Sequence, residues 1–162
     1  MLRQYSIGVW IEREGSITSE YICQKLTNSL ILLKRNAIII GKSLHGVTVI
    51  AVDSVLASEI LQYLFTDTVD SEFKLIRDIL YQNLRNKEKY CKADVSGNAG
   101  NMYEMRFTKN GRNDRIYCQE VRKNGIRYEV MCELFEFKKT NEIPKKYRSR
   151  IETMSTYEYE IK

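Results

Sequence analysis

Tyr103-Glu104-Met105-Arg106-Phe107-Thr108, followed by Asn110-Gly111 and then Arg115-Ile116-Tyr117-Cys118, is the stretch on which the fold turns. Tyr103, Met105 and Phe107 alternate with Glu104, Arg106 and Thr108, the period-two pattern of a strand with unlike faces. Asn-Gly suits a tight hairpin because both central positions of a type I′ turn need positive φ. A two-residue loop there sets Arg106 directly opposite Arg115. Like charges so placed are destabilising by roughly 0.2–1 kcal/mol. A fold that keeps them side by side needs a carboxylate close by or an anionic ligand.

A second hairpin turns at Asn124-Gly125. A strict two-residue loop puts Tyr128, Val130, Cys132 and Leu134 on the arginine side and leaves the core side poor. One extra residue in the loop, as in a bulged turn, moves them beneath Ile116 and Cys118. We expect the longer loop, with Arg115 facing Glu133 as a cross-strand ion pair.

Upstream, Gln4–Glu12 reads as a strand and Ser16 or Thr18 caps a helix through Tyr21, Leu26, Leu30 and Leu33. Ala37–Ile40 and Val47–Val52 read as buried strands. Apolar residues at Leu56, Ile60, Leu61 and Leu64, and again at Phe73, Ile76, Leu80 and Leu84, repeat at helical spacing and predict a helical pair facing the core. Lys92–Asn101 reads as a loop. The acidic aromatic tail Tyr157-Glu158-Tyr159-Glu160 is expected to end the chain as a strand or helix on the sheet. The expected class is α/β (α+β), a helical pair on an antiparallel sheet with an N-terminal βαβ-like extension. The expected division is an extension of unassigned role over residues 1–46 and a second domain over 47–162.

The net charge of +5 is concentrated late in the chain. Residues 1–69 hold six Lys/Arg against six Asp/Glu, whereas residues 101–150 alone hold thirteen against seven. Such a segment raises encounter rates with phosphates but is also the composition of an ordinary solvated surface. Cys23, Cys91, Cys118 and Cys132 form no CxxC pair, so neither a metal site nor a disulfide framework is expected. Gly41-Lys42-Ser43 ends like a phosphate-binding loop, but Asn36 stands where that motif needs its first glycine. No run reaches the ~18 apolar residues of a membrane span. Met1-Leu2-Arg3-Gln4-Tyr5 lacks the apolar region of a signal peptide, so a cytoplasmic protein with no membrane partner is expected.

The strand Tyr103-Glu104-Met105-Arg106-Phe107, then Arg115-Ile116-Tyr117, then Phe137-Lys138-Lys139-Thr140 with Pro144, resembles the RelE/HigB-like toxins of type II toxin-antitoxin systems, including their phage-associated branch. The likeness covers roughly Val47–Tyr159. It implies a small endoribonuclease that needs no cofactor, cuts mRNA on the ribosome and is neutralised by a cognate antitoxin. Carried over, Arg106 and Arg115 match the strand arginines that hold phosphate, Lys138 and Lys139 the basic pair, and Tyr147 the C-terminal aromatic. Lys109, Arg112, Lys145, Lys146, Arg148 and Arg150 are then RNA-binding cations. The chain departs from the pattern at Glu104, where some members present lysine. Its one histidine, His45, precedes the matched region, so no histidine serves there as a proton carrier. The alternatives are a non-catalytic nucleic-acid- or protein-binding regulator on the same fold, or a ParE-like gyrase inhibitor.

Overall fold

Val49, Ile50, Ala51 and Val52 are all buried, because β2 (Thr48–Asp53) runs through the middle of the sheet with both faces covered. The computed structural model describes residues 33–84, 86–95, 99–136 and 143–162. Arg35–Lys162 form one compact unit. The expected strand over Gln4–Glu12 and the helix after it lie outside the described residues, as does the βαβ-like character of the extension.

The described residues make a mixed α+β fold of three helices and a mostly antiparallel seven-stranded sheet. The strands are β1 (Lys34–Lys42), β2, β3 (Tyr90–Lys92), β4 (Met102–Phe107), β5 (Asp114–Lys123), β6 (Ile126–Phe135) and β7 (Glu158–Ile161). Their order is β3-β4-β5-β6-β2-β1-β7. β2 pairs with β6 in parallel, and β1 pairs with β2 as an antiparallel hairpin. β1 therefore belongs to the body of the sheet, although it precedes the domain boundary expected at residue 47.

The helical pair joins β2 to β3. In α1 (Ala57–Leu64), Ile60 and Leu64 are buried one turn apart. In α2 (Asp67–Tyr81), the inward stripe is Val69, Glu72, Ile76, Ile79 and Leu80. Phe73 lies at its border and Leu84 is exposed, because the helix stops at Tyr81 and Asn83 turns the chain with φ 52°. The pair covers Ile50, Val52, Met105, Phe107, Ile116, Cys118 and Met131.

The opposite face is also buried, beneath α3 (Lys145–Ser155). Ile151 and Met154 of this helix pack with Ala37, Ala51, Met102, Tyr117, Val130, Cys132 and Tyr159. Gln119 reaches up from β5 and donates its Nε2 to the carbonyls of Met154, Ser155 and Tyr157 at 3.0–3.1 Å. It satisfies carbonyls that a helix C-terminus leaves without partners. The spacing of Tyr147, Ile151 and Met154 behind Pro144 was a legible helix signal not read from the sequence.

This second buried face overturns the expected register of β5 and β6. Lys123 pairs with Ile126 across a two-residue turn, with Asn124 at φ 52° and Gly125 at φ 76°. The irregularity falls instead in mid-strand, where Tyr117 pairs with Glu133 and Cys118 with Met131. Arg115 therefore stands opposite Phe135 rather than Glu133. The expectation assumed one apolar face; with cores on both sides, apolar residues no longer choose between registers. The first hairpin keeps its expected pairing, Arg106 opposite Arg115, although a longer connection separates the paired ends of β4 and β5.

Candidate nucleic-acid interface

Arg106 and Arg115 lie on the α3 side of the sheet, since Met105, Phe107 and Ile116 take the other side. Between them is Glu104, two residues before Arg106 on the same face and 2 % exposed. Its Oε1 accepts from Arg106 Nε at 2.7 Å and lies 3.7 Å from Arg115 Nε. Arg115 is 6 % exposed and also donates Nη1 to the Asp114 carbonyl at 2.9 Å. One carboxylate thus serves two guanidinium groups. Burial works against the charge of Arg106, but Glu104 outweighs it and raises the pKa. For Arg115 burial dominates, with Arg106 adding to it, and the pKa falls. Tyr117 and Cys91 stand opposite Glu104 on the flanking strands. Burial first and the Glu104 charge second push the phenol and the thiol up.

An aromatic bridge connects this pair to α3. The Phe135 ring meets Tyr117 edge-on at 5.0 Å and Tyr147 at 4.9 Å. Arg150 lies over Phe135 at 5.0 Å and is ion-paired with Glu133. Lys146 Nζ sits 4.8 Å over the Tyr147 ring, and Arg148 donates to the Ile143 carbonyl. Lys145, Lys146 and Arg148 occupy the first turn of α3, where the helix dipole disfavours cations. Their accumulation there costs stability that a bound polyanion would return.

The structure thus brings Arg115, Tyr147 and Arg150 to Phe135, with Arg106 one strand further out beside Arg115 and with Lys145, Lys146 and Arg148 on the helix of Tyr147 and Arg150. Lys109 and Arg112 belong to the end of the β4–β5 hairpin, where Arg112 donates to Thr68 Oγ1 and the Thr68 carbonyl at 2.7 Å. That hold draws Arg112 toward the start of α2, away from α3. Lys138 and Lys139 lie outside the described residues. Glu104 and Phe135 are the partners that sequence reasoning did not assign, and Glu133, expected to pair with Arg115, pairs with Arg150 instead. Phe135 sat in view as the last apolar residue of β6.

A buried acid lies on the other face. Burial pushes the Glu129 carboxyl up to about 8; neighbouring Glu120 adds to this, while the Tyr90 hydrogen bond opposes it. Tyr90 donates its hydroxyl to Glu129 Oε2 at 2.6 Å, and Arg127 Nε lies 3.5 Å from Oε1. An unfolded glutamate titrates at about 4.3. Between that value and about 8 the folded chain holds a proton that the unfolded chain has lost. Stability therefore falls as pH rises through this window, with a slope approaching about 1.4 kcal/mol per pH unit. Denaturant titrations at pH 5, 6, 7 and 8 should show the decline, and Glu129→Gln should flatten it. An equally steep slope in the variant would locate the proton elsewhere.

Among the described residues no three His, Cys, Asp or Glu side chains gather as a metal-ligand set, and no helix is long and apolar enough to cross a membrane. Comparison with protein-family models, curated proteins and solved structures finds no match to this chain.

Proposed function

We propose that this chain is a RelE/HigB-like toxin-type endoribonuclease that cleaves mRNA on the ribosome without a metal and is neutralised by a cognate antitoxin. The observation that carries this reading is Arg106 and Arg115 opposed across β4 and β5 over a single carboxylate, on the face where α3 adds its cations. The helical pair ahead of the antiparallel β4–β5–β6 meander supports it. In such a reaction the ribose 2′-oxygen bonds to the adjacent phosphorus as the 5′-oxygen leaves, giving a cyclic phosphate and a free 5′-hydroxyl. Guanidinium groups favour the transition state by neutralising the charge gathered on the phosphoryl oxygens. Arg106, one-third exposed, is the group placed to touch phosphate, and the buried Arg115 supports it electrostatically. Arginine is too basic to carry the proton, so that role falls to a lysine such as Lys138 or Lys139, to a tyrosine such as Tyr147, or to the ribosome.

Induced expression should arrest growth and leave cut mRNA. Arg106→Ala should lower cleavage by about 10²–10³-fold, the usual effect of losing one such donor. With Arg115→Ala added, the arrest should be relieved. Arrest that persists in the double variant with intact mRNA would refute the nuclease reading and point to gyrase or another target.

A second reading, a non-cleaving RNA-binding regulator, is favoured by Glu104 itself. It occupies both guanidinium groups, and the Tyr117 and Cys91 protons beside it are held more tightly than usual. Purified protein that binds RNA in a salt-dependent manner yet leaves it uncut, on and off ribosomes, would select this reading.

A further inference from the structure

A cleft of about 320 Å³ opens at the carboxyl ends of the parallel strands β2 and β6, lined by Arg35, Val55, Leu56, Glu133, Arg150 and Tyr157 among others. Arg35 lies upstream of the stretch that carries the family resemblance. Its guanidinium is fixed on two sides. Nε and Nη2 donate to Asp53 at 2.9 and 3.0 Å, and the plane lies 4.6 Å over the Tyr157 ring. Asp53 is fully buried and held in turn by the Tyr159 hydroxyl and the Val55 amide. This side-on pairing leaves the end-on edge of Arg35, Nη1 and the outer N–H of Nη2, to a ligand. Across the cleft Glu133 meets Arg150 through Oε1, which leaves Oε2 as an acceptor.

Each cation of the cleft is already paired, Arg35 with the buried Asp53 behind it and Arg150 with Glu133, so a free phosphate gains little there. The walls contributed by Val55, Leu56, Met154 and Tyr157 instead suit a flat, partly apolar ring. A guanidinium fork matches the O6 and N7 acceptors of guanine, and a carboxylate accepts from its ring and amino N–H groups. We propose that this cleft binds a guanine base of the RNA. The inference rests on the RNA-binding reading above and places a base-reading subsite beside the phosphate-holding pair. Arg106, Arg115, Phe135 and Arg35 lie toward one end of the sheet on its α3 side, from β4 to β1. That is four strand spacings, about 19 Å, enough for a few nucleotides of single strand.

The test is amide chemical-shift titration of the full chain with guanosine, guanosine 5′-monophosphate, adenosine 5′-monophosphate and inorganic phosphate. Guanosine and its monophosphate should bind with similar affinity and shift residues around Val55, Ser149 and Tyr157. Adenosine 5′-monophosphate should bind roughly tenfold or more weakly, and phosphate should leave these residues unmoved. Ser149→Trp and Val55→Trp, both at exposed positions lining the cleft, should each abolish guanosine binding. Equal affinity for the two monophosphates, saturation of the cleft by phosphate, or unaltered guanosine binding in both filled variants would overturn the inference. Because the titration needs no RNA cleavage, it stands or falls separately from growth arrest and its relief by the arginine variants.

Discussion

Glu72→Ala should cost about 3–5 kcal/mol of unfolding free energy, the usual loss when one partner of a buried ion pair is removed. Glu72 lies on the inward stripe of α2 and is fully buried. Its Oε1 accepts from Lys89 Nζ and from the Thr108 amide at 2.8 Å, and the Lys109 amide lies within 3.4 Å of both oxygens. Alanine leaves two amides at the end of the β4–β5 hairpin without an acceptor and a mostly buried ammonium without a counter-charge. The consequence reaches the arginine pair, because this carboxylate ties the hairpin bearing Arg106 and Arg115 to the helical pair. Glu72→Gln keeps an oxygen acceptor and should lose less. Burial alone would raise the Glu72 pKa, but Lys89 and the two amides outweigh it and hold the carboxyl below its usual range. Its contribution is therefore present above the unfolded pKa and disappears as pH falls through the folded one. The wild-type and Glu72→Ala denaturation midpoints should differ widely at pH 7 and converge in acid. A difference below about 1 kcal/mol at pH 7 would show that the hairpin is held by something else.

Local patterns in the chain spoke clearly where one rule applied at a time. Alternation over Tyr103–Thr108 and the Asn110-Gly111 turn set Arg106 against Arg115, and helical spacing from Leu56 to Leu80 placed the pair of helices. The requirement for a nearby carboxylate was also legible, but its identity was not. Glu104 was two residues away, and only the observed face shows that its side chain turns back onto its own strand. The β5–β6 register failed for a different reason. Val130 and Cys132 are buried against α3 while Met131 is buried against the helical pair, so a bulge at Cys132 satisfies both cores. Without α3 in the reading, that compromise has no motive. Arg35 was hidden for a related reason. Its importance comes from Asp53 and Tyr159, 18 and 106 residues away from Arg35 and Asp53 respectively, and no local pattern links them.

Glu104→Gln separates the two readings of the arginine pair. Neutralising the carboxylate leaves Arg115 buried beside Arg106 with no counter-charge, and about 3–5 kcal/mol of stability should be lost. The loss should be recoverable. An anion that binds the folded state alone stabilises by RT ln(1 + [L]/Kd), so millimolar phosphate should raise the variant's melting temperature more than the wild type's. If the pair exists to grip a phosphodiester, Glu104 competes with that phosphate. The variant should then bind single-stranded RNA more tightly than the wild type at equal salt, with a steeper dependence on salt because one more cation is free to displace counterions. If the pair is a structural staple, the variant should lose the same stability but gain nothing from phosphate, and its RNA affinity should not move. The carboxylate that makes the site stable would in the first case also be the group that RNA must displace, which sets a threshold on binding: only a phosphate presented in register with both guanidinium groups gains enough to exchange with it.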